Sequence, residues 1–157
     1  MKIAFLASNH PTDQDLETFI KIIDYLVKEG HAVSHALAIP NGGSYAWDQE
    51  TATEYFAQFY AKLSRSDIVI AECSNPTMQL GYEIASSIQL GKEVIILKQQ
   101  GDTKTIQSHD PLYMHKNIYT FDYTNASLLN ILKIALDCYP EQKFKKYNIE
   151  KGLKNEL

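Results

Sequence analysis

Cysteine is scarce. Cys73 and Cys138 are the two in 157 residues, too few for a disulfide framework and too far apart for a CxxC metal knuckle. No apolar run approaches the roughly 20 residues a membrane helix needs. The first residues lack a basic segment followed by a long apolar stretch, so no signal peptide is readable and a cytoplasmic protein is expected. Glycine is sparse as well, with seven in the chain. None falls between Ala7 and Gln14, where a dinucleotide-binding fold would carry GxGxxG, and no GxxxxGK phosphate loop occurs anywhere. Neither a cofactor nor a metal is expected. Positive charge is the minority: 15 Lys and Arg against 19 Asp and Glu leave −4, which argues against a polymeric nucleic-acid partner, whose phosphates call for a cationic surface. From Glu141 to Leu157 the balance reverses to five Lys and three Glu. Residues 1–140 are therefore expected to form one α/β domain, and 141–157 a polar C-terminal tail.

What is present alternates short apolar runs with amphipathic stretches. Lys2 to Ala7 reads as a strand covered on both faces. Leu16, Phe19, Ile20, Ile23, Leu26 and Val27 recur at helical steps, with Thr12 or Asp13 as N-cap and Gly30 as the stop. A second strand is expected from His31 to Leu37, then a helix whose apolar face includes Ala52, Tyr55, Phe56, Phe59, Tyr60 and Leu63. Ile68 to Ala71 is the third strand and Leu80 to Leu90 the third helix, closed by Gly91. Val94 to Leu97, Ile118 to Phe121, and a helix from Ser127 to Cys138 complete the pattern. Strand and helix alternating through one chain imply a doubly wound, Rossmann/flavodoxin-like sandwich with a five-stranded parallel sheet. Ligands in such folds sit beyond the carboxyl ends of the strands. The segments of interest are therefore Ser8 to Asp15, Ala38 to Trp47, Glu72 to Gln79 and Lys98 to Lys116.

The densest signal runs from Ser66 to Leu97. A strand ends at Glu72, a polar loop holds Pro76, and a helix opens around Gly81-Tyr82-Glu83. Gly81 has no Cβ and permits close approach of a ligand or backbone. Glu83 is expected in the first helical turn, where free N–H groups and the dipole favour the ionised carboxylate. A charged carboxylate above the strand ends suits a nucleophile or an acceptor of sugar hydroxyls, although an acid in a first turn is also an ordinary capping choice. Cys73 has no adjacent base and reads as a small buried residue. Tyr45 and Trp47 are aromatic surfaces for a base or a subunit contact.

The spaced elements Ser66-Asp67, Ala71-Glu72, Pro76, Gly81-Tyr82-Glu83 and Lys92 resemble the core motif of the nucleoside 2-deoxyribosyltransferase superfamily. They are most similar to its 2'-deoxynucleoside 5'-phosphate N-hydrolase branch. The resemblance implies that Glu83 attacks the anomeric carbon of the sugar, as carboxylates do in retaining glycosidases. It also implies that Ser8, Thr77 and Ser108 supply hydroxyls to a 5'-phosphate, with Gly81 beside the substrate. The implied partner is a small nucleoside or nucleotide, and the implied assembly a homodimer with a shared active site.

The chain departs from that family in three places. Ala4 stands where the family has a tyrosine in the first strand. Asn9-His10-Pro11-Thr12 replaces a Gly-rich loop that bears an arginine. Phe59 occupies the ungapped position of an aspartate on the second helix, and Glu54 lies on a different face. His10 is a candidate for the missing acid or for a phosphate contact, although a loop histidine is also commonly just solvated. The expected function is cleavage or transfer at the N-glycosidic bond of a (deoxy)nucleoside or its 5'-monophosphate. The alternative is a non-catalytic nucleotide-binding or sensor relative that has lost the second carboxylate.

Overall fold

Ile68–Glu72 (β3) is buried at every position, as a strand must be when both of its faces are covered and both of its edges are paired. Around it the computed structural model describes residues 1–35, 49–101 and 115–139. The remaining strands are Lys2–Leu6 (β1), Ala32–His35 (β2), Val94–Gln99 (β4) and Ile118–Tyr123 (β5). All pair in parallel, in the order β2-β1-β3-β4-β5. The expected five-stranded sheet is observed, and the order is the flavodoxin-like one, with its reversal point between β1 and β3. The helices are Asp13–Lys28 (α1), Gln49–Arg65 (α2), Met78–Gln89 (α3) and Leu128–Cys138 (α4). No helix among the described residues is long and apolar enough to cross a membrane.

Strand alternation divides the core in two. Ile3, Phe5, Ile68, Ile70, Ile95 and Leu97 point toward α1 and α4, which contribute Phe19, Ile22, Leu26, Leu128 and Leu132. Ala4, Leu6, Val69, Ala71, Val94 and Ile96 point the other way, against Phe59 and Leu63 of α2 and Leu80 and Ile84 of α3. The result is a three-layer sandwich with helices on both faces. The helix ends follow local chemistry. Thr12 caps α1 through a reciprocal capping box with Asp15, which settles the choice between Thr12 and Asp13. Gly30, at φ 83°, lets the chain leave α1 through a left-handed turn.

The described boundaries move by a few residues from those read in the sequence. The largest functional change is in α3, which begins at Met78, two residues before Leu80, with Thr77 as its cap. The proposed tail, 141–157, lies outside the described residues.

Two elements of the sequence motif hold the framework at the amino ends of the strands. The Asp67 carboxylate accepts the Lys2 backbone N–H at 2.7 Å, fastening β1 to the start of β3. The Lys92 ammonium donates to the carbonyls of Ser64 and Ser66 at 3.0 and 2.7 Å, where α2 ends and its carbonyls lack helical partners. Replacing Lys92 with Met should lower stability by about 1–2 kcal/mol, as expected for the loss of two partly exposed helix-end hydrogen bonds. Urea unfolding should show a lower midpoint with an unchanged slope.

Candidate functional site

At the carboxyl edge of the sheet, the loops after β1 and β3 meet at the reversal point. Leu6 pairs with Ala71 at the strand ends, and the Asn75 side chain reaches Asp15 in the first turn of α1 at 3.4 Å. Ser8 is buried just past β1, and its hydroxyl accepts the backbone N–H of His10 at 3.2 Å. The His10 side chain is exposed. Thr77 accepts the N–H of Leu80 at 3.2 Å as the cap of α3, leaving its own O–H to donate elsewhere. Ser108, Tyr45 and Trp47 lie outside the described residues.

The early start of α3 corrects the expected position of Glu83. It stands in the second turn, and the first turn holds no acid. The free N–H groups and the dipole end therefore do not explain its charge state. Instead Leu80, Glu83, Ile84 and Ser87 form one stripe at helical spacing, all buried, so Glu83 occupies an inward position between apolar neighbours. It is 3% exposed. Burial pushes its carboxyl above the usual range, opposite to the direction expected from a first-turn site. Hydrogen bonds from Tyr55 and Gln79 pull it back.

Those two donors were not identified as site residues in the sequence. Tyr55 on α2 donates to Glu83 Oε1 at 2.5 Å. Gln79, one turn before Glu83 on α3, donates to the same oxygen at 2.9 Å and to the Tyr55 hydroxyl at 2.8 Å. The Gln79–Glu83 spacing of four was a readable signal, since such residues are neighbours on a helix. So was an acid within an apolar stripe.

Glu72 is a second buried carboxylate, 1% exposed. It accepts from the Ser74 hydroxyl and from Tyr123 at 2.8 Å, and its carboxyl is also raised by burial. It follows Ile68 and Ile70 in strand alternation, on the α1/α4 side, and Gln99 N–H donates to Ser74 Oγ at 2.8 Å. Glu72 thus clasps the ends of β3, β4 and β5 together. Phe59, where the resemblance leads one to expect an aspartate, is core and stacks on Tyr55 with ring centroids 6.3 Å apart. Glu54 accepts from Gln58 on the exposed side of α2. Neither brings a carboxylate to Glu83. Cys73 is fully buried and its thiol is pushed up by that burial, as befits an inert core residue. Among the described residues no group of three His, Cys, Asp or Glu side chains is placed to hold a metal ion.

Gly81 lies within α3 without a positive φ, and a Cβ built on it would meet no atom within 4 Å. Neither backbone strain nor packing accounts for glycine here. The space beside it is open.

Sequence comparison decides the family. The "5-hydroxymethyl-dUMP N-hydrolase" of Branchiostoma floridae is 32% identical over 81 residues, spanning 48% of this chain and 73% of that relative. The chain belongs to the nucleoside 2-deoxyribosyltransferase-like superfamily. No protein-family model matches the sequence. Two solved structures share the fold of this deoxyribosyltransferase-like chain. A CMP N-glycosidase of Clostridium botulinum has a TM-score of 0.59 and 16% identity, covering 87% of this chain and 99% of that one. A 2-deoxyribosyltransferase of Bacillus psychrosaccharolyticus has a TM-score of 0.60 and 18% identity, covering 82% and 96%.

A carboxyl raised by folding binds its proton more tightly in the native state than in the unfolded chain. Its contribution to stability is complete below the unfolded carboxyl range, and is lost as pH rises through the raised native value. Glu83→Gln cannot ionise and escapes that loss. Thermal unfolding should show the variant gaining stability over the parent at pH 7.5 relative to pH 4.5. An equal difference at both pH values would contradict the burial argument.

Proposed function

We propose that this chain cleaves or transfers the N-glycosidic bond of a (deoxy)nucleoside or its 5'-monophosphate, with Glu83 as nucleophile. The observation that carries the reading is a buried carboxylate with one oxygen held by two donors, beside the reversal point of the sheet. The relatives are named for N-hydrolase, N-glycosidase and deoxyribosyltransferase activities, which supports the same bond as the target.

In the proposed reaction a Glu83 oxygen bonds to C1' as the C1'–N bond breaks. The electron pair of that bond leaves on the base nitrogen, which takes a proton from water. Water then hydrolyses the glycosyl ester, releasing the sugar and returning Glu83 as a carboxylate. A second base at that step gives transfer instead. Ser8 and Thr77 offer hydroxyls to a 5'-phosphate, with the N-terminal N–H groups of α3 adjacent to Thr77. His10, exposed on the first loop, is available to that phosphate or to the leaving base. Ser108 is retained as a phosphate contact on resemblance alone.

A second reading, a nucleotide sensor without turnover, is favoured by one observation: the second-helix position that carries aspartate in the family is the buried Phe59. A panel of deoxynucleosides, ribonucleosides and their 5'-monophosphates, with free base measured by chromatography, separates the two. Base release that falls at least about 10³-fold in Glu83→Ala supports the enzyme. Nucleotide binding without release supports the sensor.

The open space at Gly81 gives an independent check. Gly81→Ala should raise folding stability by about 0.5–1 kcal/mol, because alanine is the better helix residue. It should lower kcat/KM at the same time, since the new methyl enters space assigned to substrate.

A homodimer is part of the proposal. Phe56 and Tyr82 meet edge-to-face at 5.6 Å on the outer side of α2 and α3, and are 38% and 48% exposed, with Met78 93% exposed on the same helix as Tyr82. Such an apolar patch next to Glu83 fits a second copy of the chain closing the site. Sedimentation should give twice the chain mass, and Met78→Asp with Tyr82→Lys should give the monomer.

A further inference from the structure

Glu83 is held from one side. Tyr55 and Gln79 both donate to Oε1, and Gln79 also donates to the Tyr55 hydroxyl, so three groups from two helices close a ring of hydrogen bonds. Oε2 takes no hydrogen bond from the described residues and is not among the buried polar atoms sealed away without a partner. The two oxygens of one carboxylate therefore have different roles: one is anchored, the other remains open.

The anchor rests on a part of the core that offers no polar group of its own. Ala4 leaves the first strand without a tyrosine hydroxyl, and Phe59 brings no acid. Ala4 and Phe59 lie in one apolar cluster against which Tyr55 packs, and the Tyr55 ring lies nearly parallel to Phe59, at 6°. The phenylalanine thus seats the tyrosine, whose hydroxyl reaches the carboxylate from α2.

We propose that Tyr55 and Gln79 are positioning residues for Glu83, holding Oε1 so that Oε2 faces the sugar. This rests on the reading of Glu83 as nucleophile. Free rotation of the carboxylate would spread the attacking oxygen over several directions, and two fixed donors remove that freedom. Each donor also favours the charged form over the neutral one. At Glu83 burial raises the carboxyl and these two donors lower it. Tyr60 and Tyr82, the other titratable groups where α2 meets α3, bond to one another at 2.6 Å.

The test uses Tyr55→Phe, which retains the ring on Phe59, and Gln79→Leu, which removes the amide. Steady-state kinetics are followed across pH on the nucleotide that the parent cleaves. In parallel, Glu83 is titrated by carbon NMR in protein labelled at the glutamate carboxyl, its signal assigned by its loss in Glu83→Gln. For Tyr55→Phe, kcat should fall about tenfold or more with KM changed less than about twofold. The acidic limb of the profile and the NMR titration should both move up by about one pH unit. Gln79→Leu should move both in the same direction. An unmoved titration with unchanged kcat overturns the proposal, as does a lowered Tm with no shift in titration. If the parent cleaves no nucleotide, the glycosidase reading fails by itself. The NMR titration then decides the anchor alone: an upward shift upholds it, and no shift overturns it.

Discussion

A carboxylate inside an apolar stripe is costly to keep charged, and the site is organised around offsetting that cost. Ionised groups are disfavoured by burial unless hydrogen bonds replace the water they lose. Glu83 sits between Leu80, Ile84 and Ser87 on the inward side of α3, and its replacement partners come from two helices. Everything that sets the relative placement of α2 and α3 therefore bears on the carboxylate. The shared core of Phe59, Leu63, Leu80 and Ile84 fixes the distance between the two helices. Lys92, at the far end of the sheet, closes the carbonyl end of α2. The motif that spans Ser66 to Leu97 is in this sense two things joined: a clamp at the amino ends of the strands and a chemical group at their carboxyl ends.

The sheet contributes the other half of the arrangement. Its order makes β1 and β3 the pair whose outgoing connections run to opposite faces, α1 on one side and α3 on the other. In folds of this order that divergence opens the crevice where ligands bind, and Ser8, Thr77 and Glu83 all lie on the segments that leave β1 and β3 there. Glu72 strengthens the edge of this crevice from the α1/α4 side, tying the ends of β3, β4 and β5 through Ser74 and Tyr123. Two buried glutamates eleven positions apart thus serve the two faces of one sheet.

Most of the architecture was legible because periodicity reports it directly. The alternation of Ile3, Phe5 and Ile68, Ile70 against Ala4, Leu6 and Val69, Ala71 needs no tertiary information. The start of α3 is less legible: Met78 is exposed and Gln79 polar, so the apolar period begins only at Leu80, although the cap is Thr77. The two-residue difference puts Glu83 in the second turn rather than the first and reverses the expected direction of its carboxyl shift. Tyr55 was visible only as a member of an apolar face. Its ring does pack on Phe59, but its hydroxyl finds Glu83 through the register between two helices, which no local pattern encodes.

The most direct measurement of the central claim is a structure of the Glu83→Gln protein with a deoxynucleoside 5'-monophosphate bound. The account places C1' of the sugar within about 3–3.5 Å of the side-chain atom at the Oε2 position, on the face opposite the departing base. It also places the Oε1 position still within reach of Tyr55 and Gln79. A nucleotide bound with its sugar away from residue 83, or with that side chain turned out of the crevice, would contradict it.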